Sequence, residues 1–308
     1  MRYRTLGRTG IRVSALAFGA GPVSGLMTGD DHAAQVATLR RAIELGINWI
    51  DTAAGYGQGI SEANVGRALR EFDPAEGVHI ATKVRLTPSQ LGDIRGAVRR
   101  SVEQSLDRLR VSFVTLLQLH NGLTADRDEE PFSITPADVL ASGGVLDAFR
   151  DLQADGIIRH LGLSATGQPA AVREVVRSGE FDTTQVPYHL LNPSAGRAMP
   201  PGFADTDYGN LVADCAALDM GVFAIRVFAG GALLDRVPSA HTLRTPFFPL
   251  ALYERDRARA RELAADGKSL KERALRFVLD DPRVHSAIVG FGTAEHVEEL
   301  ARLVGQSP

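Results

Sequence analysis

Short apolar runs alternate along this chain with longer stretches in which apolar residues recur every three or four positions. The short runs, at 15–18, 48–50, 79–82, 113–119, 160–163, 183–186, 222–227 and 286–289, have the length of buried strands. The stretches between them have helical spacing. Val36, Leu39 and Ile43 open the series, and Ile94, Val98, Val102, Leu106 and Leu109 continue it over four turns. Further helical patterns cover 62–70, 145–154, 169–178, 208–218, 269–280 and 294–303. Gly46 and the pair Asp155-Gly156 supply stop signals. Ahead of the first unit, 2–6 and 11–13 flank a turn at 7–10 and predict a hairpin.

Strands alternating with helices predict a parallel sheet, either an open doubly wound one or a closed barrel. Eight units over 308 residues exceed what the open form usually holds, and a leading hairpin is placed to plug one end. The prediction is therefore an α/β fold, a (β/α)8 TIM barrel with an N-terminal β-hairpin at the barrel bottom. No linker divides the chain, so 1–308 reads as one domain. Three connections, 121–144, 191–207 and 229–249, are too long for plain loops. Each follows a strand on the face where barrels build their sites, and each is expected to wall a substrate pocket.

Composition narrows the function mainly by exclusion. The chain is 44% apolar and 23% charged, with net charge −3 and a pI near 6.3, which offers no footprint for nucleic acid or an anionic membrane. The basic residues from Arg255 to Arg261 alternate with Asp256 and read as a solvated helix face. The one cysteine, Cys215, sits at helical spacing among apolar residues and reads as a buried structural thiol. The N-terminus lacks an apolar leader and no run is long enough to cross a bilayer, so a cytoplasmic location is expected. No histidine spacing matches a metal motif. Gly19-Ala-Gly21 and Gly55-Tyr-Gly-Gln-Gly59 complete neither a dinucleotide fingerprint nor a phosphate loop.

The informative residues are polar ones at strand ends. Asp51, Lys83, His120, Ser164 and Gln185 each stand at the C-terminal end of a predicted strand. Any one alone is better read as a cap or a satisfied core residue. Together they point into one barrel mouth. Tyr56 follows Asp51 by five residues. A phenol is a weak acid near neutrality, an adjacent ammonium favours its ionised form, and a buried ammonium needs a carboxylate. Tyr56, Lys83 and Asp51 fit those three needs, and His120 adds a donor for a substrate oxygen.

These residues lie in stretches that resemble the aldo-keto reductase superfamily. They are Leu6-Gly-Arg-Thr-Gly10, Asn48-Trp-Ile-Asp-Thr-Ala-Ala-Gly-Tyr-Gly57, Ser61-Glu62 with Val65-Gly66, and Ala81-Thr-Lys83. Leu116-Leu-Gln-Leu-His120, Gly156-Ile-Ile-Arg-His-Leu-Gly-Leu-Ser164, Gln185-Val-Pro-Tyr188 and Ala287-Ile-Val-Gly290 follow in order. The resemblance implies an NAD- or NADP-dependent oxidoreductase interconverting an aldehyde, ketone or aldose and an alcohol. It implies Tyr56 as general acid/base, Lys83 and Asp51 as the pair that tunes it, and His120 as the substrate-orienting imidazole. On the cofactor side it implies Gly19 and Ala20 beneath the nicotinamide, with Asp51 beside them and Ser164 and Gln185 on the carboxamide. Ile225, Arg226, Val227, Phe228, Ala229 and Gly230 match the pyrophosphate loop, and Gly290, Gly292, Thr293, His296 and Glu299 the adenosine end.

Departures from the family pattern matter too. Ala165 stands where Asn usually follows the serine, and Ile225 where an aromatic usually stacks, with Phe228 nearby. Gly292 stands where an Arg often grips the 2′-phosphate, and Leu300 at another usually polar position. An unpaired phosphate dianion loses charge-assisted hydrogen bonds, which tilts the expectation toward NAD. Arg226 is a possible substitute grip. Similarity to NAD-linked aldose and galactose dehydrogenases, including Gln118-Leu-His-Asn121, points to sugar oxidation as one direction. Two other readings stay open: a cofactor-binding regulatory subunit with little turnover, and an unrelated barrel lyase or isomerase. Neither the substrate nor the oligomeric state is encoded in a readable motif.

Overall fold

The computed structural model describes residues 1–72, 77–265 and 267–305. An antiparallel hairpin, β1 (Tyr3–Thr5) and β2 (Arg12–Ser14), precedes eight parallel strands. These are β3 (Leu16–Gly19), β4 (Trp49–Asp51), β5 (His79–Val84), β6 (Val114–Leu119), β7 (Ile158–Ser164), β8 (Thr183–Pro187), β9 (Gly221–Ile225) and β10 (Ser286–Val289). Each pairs with its neighbour in sequence, and β10 closes on β3, so the barrel is complete. Closure removes both sheet edges.

Around it run α1 (His32–Glu44), α2 (Ile60–Leu69), α3 (Ile94–Leu109), α5 (Val145–Ala154), α6 (Pro169–Arg177), α7 (Leu211–Ala217), α9 (Leu270–Leu279) and α10 (Ala294–Gly305). Two helices fall outside the repeat: α4 (Pro136–Leu140) in the first long connection and α8 (Leu250–Ala264) after the third. Among the described residues no helix is long and apolar enough to cross a membrane.

The hairpin plugs the barrel bottom for a packing reason. Ala17, Trp49, Ala81, Leu116 and Phe223 point inward from five strands, and Leu6 and Val13 of the hairpin complete that cluster, all 0–1% exposed. Trp49 and Phe223 stack with centroids 4.8 Å apart. With the lower half filled by apolar side chains, polar strand residues are left to the opposite end. Between the helices and the outside of the barrel lies the larger core. Cys215 is buried in it, and burial pushes its thiol up to about 12, which keeps it protonated and inert.

Two local expectations are corrected. The run at 222–227 stops being a strand at Ile225, because Arg226 adopts φ +56°, the left-handed region. Asp256 is not on a solvated face: it is 2% exposed, and α8 turns it toward Arg226 at 3.8 Å. Basic alternation on a helix reads as solvated unless another element brings a charge to it, and here the β9 connection does.

Candidate active site

Register sets the site. Asp51 ends β4, Lys83 and Gln118 face each other across β5 and β6, and Ser164 and Gln185 across β7 and β8. His120 follows β6 directly, its amide bonded to the Val84 carbonyl at 2.8 Å. Tyr56 is carried on the turn after β4. Three successive left-handed residues, Gly57 (φ +60°), Gln58 (+55°) and Gly59 (+92°), reverse the chain there before α2 begins. Glycine tolerates that conformation at little steric cost, which is why the turn is glycine-rich. The turn swings the Tyr56 ring back over the strand ends, against Gly21.

All four proposed catalytic side chains converge. The Lys83 ammonium donates to Asp51 Oδ2 at 2.6 Å, to the Thr52 carbonyl at 2.9 Å and to Tyr56 Oη at 3.1 Å. The Lys83 and Asp51 side chains are only 1% and 3% exposed. Burial by itself lowers a lysine's pKa, but the Asp51 carboxylate and the Tyr56 oxygen outweigh it and hold Lys83 above its ordinary value. The ammonium is therefore charged throughout the physiological range. His120 stands edge-on to Tyr56, ring centroids 5.6 Å apart at 84°.

His120 is held neutral. Burial first, then the nearby Arg85 and Lys83 charges, push its pKa well below the ordinary histidine value. Its Nδ1 is buried without a partner among the described residues, so Nε2 is the nitrogen left to face the mouth. A neutral imidazole with a depressed pKa takes up a proton only well below pH 6.5. The rate of carbonyl reduction should therefore show no ionisation near pH 6.5. An inflection there that disappears in His120→Gln would overturn the neutral assignment.

Gln118 supports the site and Arg85 lies beside it, though neither was singled out for it. Gln118 and Gln185 both donate their amide groups to Asp51 Oδ1, the former at 3.1 Å, while Lys83 takes Oδ2, so both oxygens of the carboxylate are engaged. The signal for Gln118 was an amide set among leucines in the buried run from Leu116 to Leu119. Arg85, two residues after Lys83, lies half-buried beside His120, and the Phe247 ring covers its guanidinium at 4.6 Å. Phe247 comes from the third long connection, which thus reaches the mouth.

Other residues of the resemblance turn out to hold the frame. Ser61 donates to the Ala20 carbonyl and meets Thr52 Oγ1, both at 2.8 Å. Buried Glu62 receives Thr82 Oγ1 and Arg108 Nε, the latter at 2.7 Å. A side chain at Gly66 would strike the Leu109 carbonyl at 2.5 Å, so α2 and α3 pack this closely only because that residue has none. Asn121 spends its side chain on the backbone of Leu86 and Phe132 rather than on the mouth.

The residues expected on the cofactor side lie along one rim of the mouth. Gly19 ends β3 in register with Asp51, and the Ala20 amide donates to the Asp51 carbonyl at 2.9 Å. After β9, Arg226, Ala229, Gly230 and Gly231 all have positive φ, and such turns gather backbone N–H groups into anion-binding concavities. Val227 and Phe228 sit buried between them. The Arg226 side chain turns inward, stacking under Phe248 at 4.0 Å and toward Asp256. At the far end Gly290 lies against Ser24, whose Oγ is buried without a partner among the described residues. Thr293 Oγ1 accepts from the His296 amide at 3.4 Å at the start of α10. Gly292 leaves the space beside the His296 ring open, Arg236 approaches His296 Nε2 at 3.3 Å, and Glu299 is paired with Lys271 at 2.5 Å. Leu300 is buried in the core.

The comparisons agree with this fold. The model of the Aldo/keto reductase family matches residues 15–305. An aldo-keto reductase of Bacillus subtilis is 29% identical, the match covering 99% of this chain and 89% of that protein. L-galactose dehydrogenase of Arabidopsis thaliana is 27% identical, over 97% and 86%. Among solved structures, the holo form of an aldo-keto reductase from Bacillus halodurans superposes with a TM-score of 0.74 at 25% identity, covering 100% of this chain and 92% of that one. The glycerol dehydrogenase of Gluconobacter oxydans gives 0.69 at 28%, over 99% and 90%. A closed eight-stranded barrel, a hairpin at its base and a family match over nearly its whole length place this chain in the aldo/keto reductase family, as an NAD(P)-dependent oxidoreductase of carbonyls and alcohols.

Proposed function

We propose that the protein reduces a small carbonyl compound, and oxidises the corresponding alcohol, with Tyr56 as the group that gives and takes the proton. The observation that carries this is the direction of one hydrogen bond. An ammonium has donors and no acceptor, so in the 3.1 Å contact Lys83 donates and Tyr56 Oη accepts. The phenol's own proton is then free to point into the mouth, toward a carbonyl oxygen between Tyr56 and His120. As that proton leaves, the phenolate is met by a charge already in place, with no reorganisation at the moment of reaction. Asp51, fixed by Gln118 and Gln185, keeps the ammonium from being a lone buried charge. His120, neutral, offers a second donor to the same oxygen without adding a cation that would compete for the Tyr56 proton.

When bound, the nicotinamide supplies or accepts the hydride. The residues present fit such a cofactor. The left-handed turns from Arg226 to Gly231 suit a pyrophosphate, the orphaned Ser24 hydroxyl lies beside Gly290, and Ser164 stands next to Gln185 in register. Gln185 spends its amide nitrogen on Asp51, which leaves its oxygen for a carboxamide. Arg226 is spent on Asp256 and Phe248, so it grips no 2′-phosphate, and Gly292 brings no charge. Arg236 already donates toward His296.

NAD is therefore read as the preferred cofactor. Titrating both oxidised cofactors should show NAD binding tighter, and a panel of neutral aldehydes and aldoses should then be turned over with it. Tighter binding of NADP, lost in Arg236→Ala, would reverse the cofactor reading. Binding without turnover of any carbonyl or alcohol would overturn the catalytic one. None of the observations favours a subunit that only binds cofactor.

A further inference from the structure

A poorly paired cation sits at the barrel mouth. Arg85 is half-buried, and among the described residues no carboxylate lies within ion-pair distance of it. Burial lowers its pKa, and the Tyr56 oxygen is what opposes that shift. Among the described residues its polar contacts are Nε and Nη2 to the same carbonyl, that of His120, both long at 3.3 Å. Four other part-buried arginines are differently served. Arg108 meets Glu62, Arg173 meets Asp214 and Arg283 meets Asp281, while Arg4 places its guanidinium on three backbone carbonyls.

A guanidinium carries five donors in a planar fork. At Arg85 one flat face is covered by Phe247, and the Nη1 edge has no acceptor among the described residues. Taking a cation out of water without a counter-charge is costly, and an anionic ligand would supply the missing counter-charge. The residue that Arg85 touches is His120, whose ring stands against Tyr56. The Arg85 charge is near enough to act on both the His120 ring and the Tyr56 oxygen, so an anion on the fork would lie beside a carbonyl held by that pair.

We propose that Arg85 is a specificity-determining residue that binds an oxyanion, carboxylate or phosphate, carried by the carbonyl substrate. This rests on the reading of the mouth as a carbonyl site and narrows it to short substrates bearing a negative group near the reacting carbon. Neutral aldehydes still react, but without the fork's two charge-assisted hydrogen bonds. Those are worth roughly tenfold to a hundredfold in kcat/KM.

The test compares matched aldehydes at saturating reduced cofactor: butanal against 4-oxobutanoate for a carboxylate, and glyceraldehyde against glyceraldehyde 3-phosphate for a phosphate. The native protein should prefer the anionic member of at least one pair by about tenfold or more, and which pair responds tells carboxylate from phosphate. In Arg85→Met that ratio should fall to about one while neutral substrates keep kcat/KM within roughly threefold; Arg85→Lys, which keeps charge but loses the fork, should fall between. No preference in the native protein, an unchanged ratio in Arg85→Met, or an equal loss on all four aldehydes would overturn the assignment, the last marking a clamp on His120 and nothing more.

A second readout needs no turnover. Acetate or inorganic phosphate, at constant ionic strength set with chloride, should raise the thermal midpoint of the cofactor-loaded native protein more than that of Arg85→Lys. Equal shifts would count against the anion site. If no aldehyde is turned over, the carbonyl reading falls, and the midpoint shifts still decide whether Arg85 binds an anion.

Discussion

Tyr56→Phe is expected to lower kcat by roughly 10²- to 10⁴-fold, the range a positioned general acid contributes, while the Kd for cofactor stays within about twofold. The substitution removes one oxygen from a ring that remains packed against His120 and Gly21. It also leaves Lys83 with two acceptors, Asp51 and the Thr52 carbonyl, where there were three. A stability loss of about 1 kcal/mol should accompany it, small enough for the protein to remain folded. Single-turnover measurement with preloaded cofactor separates the effect on the proton-transfer step from product release. Turnover within tenfold of the native rate would sink the assignment of Tyr56.

The second large effect concerns the buried pair beneath it. Lys83→Met strips the cation from a carboxylate that is 3% exposed, and breaking such a pair by removing one partner costs about 3–5 kcal/mol. Two glutamine amides stay on Asp51 Oδ1, and they put the expected loss at the low end of that range. Turnover should fall by at least about a hundredfold, since the charge that meets the departing Tyr56 proton is gone. The double variant Lys83→Met with Asp51→Asn separates the two roles. A neutral pair of similar shape should regain most of the stability, as buried ion pairs often exchange for neutral groups at little net cost. It should regain none of the turnover. Urea unfolding and steady-state rates on the native protein and the two variants check both statements. A Lys83→Met protein as stable as the native one would show that Asp51 never depended on its partner.

Much of the site was legible in the chain because strand ends are legible. A strand is recognised by a local apolar run, and the first polar residue after it marks the rim. Asp51, Lys83, His120, Ser164 and Gln185 were found that way, and all stand at the C-terminal end of the barrel. The hairpin was predicted within about one residue at each end. Asn121 was less transparent. It sits beside His120 in sequence, yet its amide serves the backbone of two loops, a choice that depends on where Leu86 and Phe132 happen to pass.

What the sequence determined by itself is the order of strands and helices, and hence the barrel, since hydrophobic periodicity is read over windows of ten or so residues and each window carries its own signal. Tertiary structure alone decided which charges are paired. Gln118 and Gln185 reach the same Asp51 oxygen from 67 and 134 residues away, Asp256 is buried where the β9 connection brings Arg226 to it, and Arg85 meets no carboxylate among the described residues. Electrostatic partnership depends on distance in space and on exclusion of water, and neither quantity is defined until the chain has closed on itself.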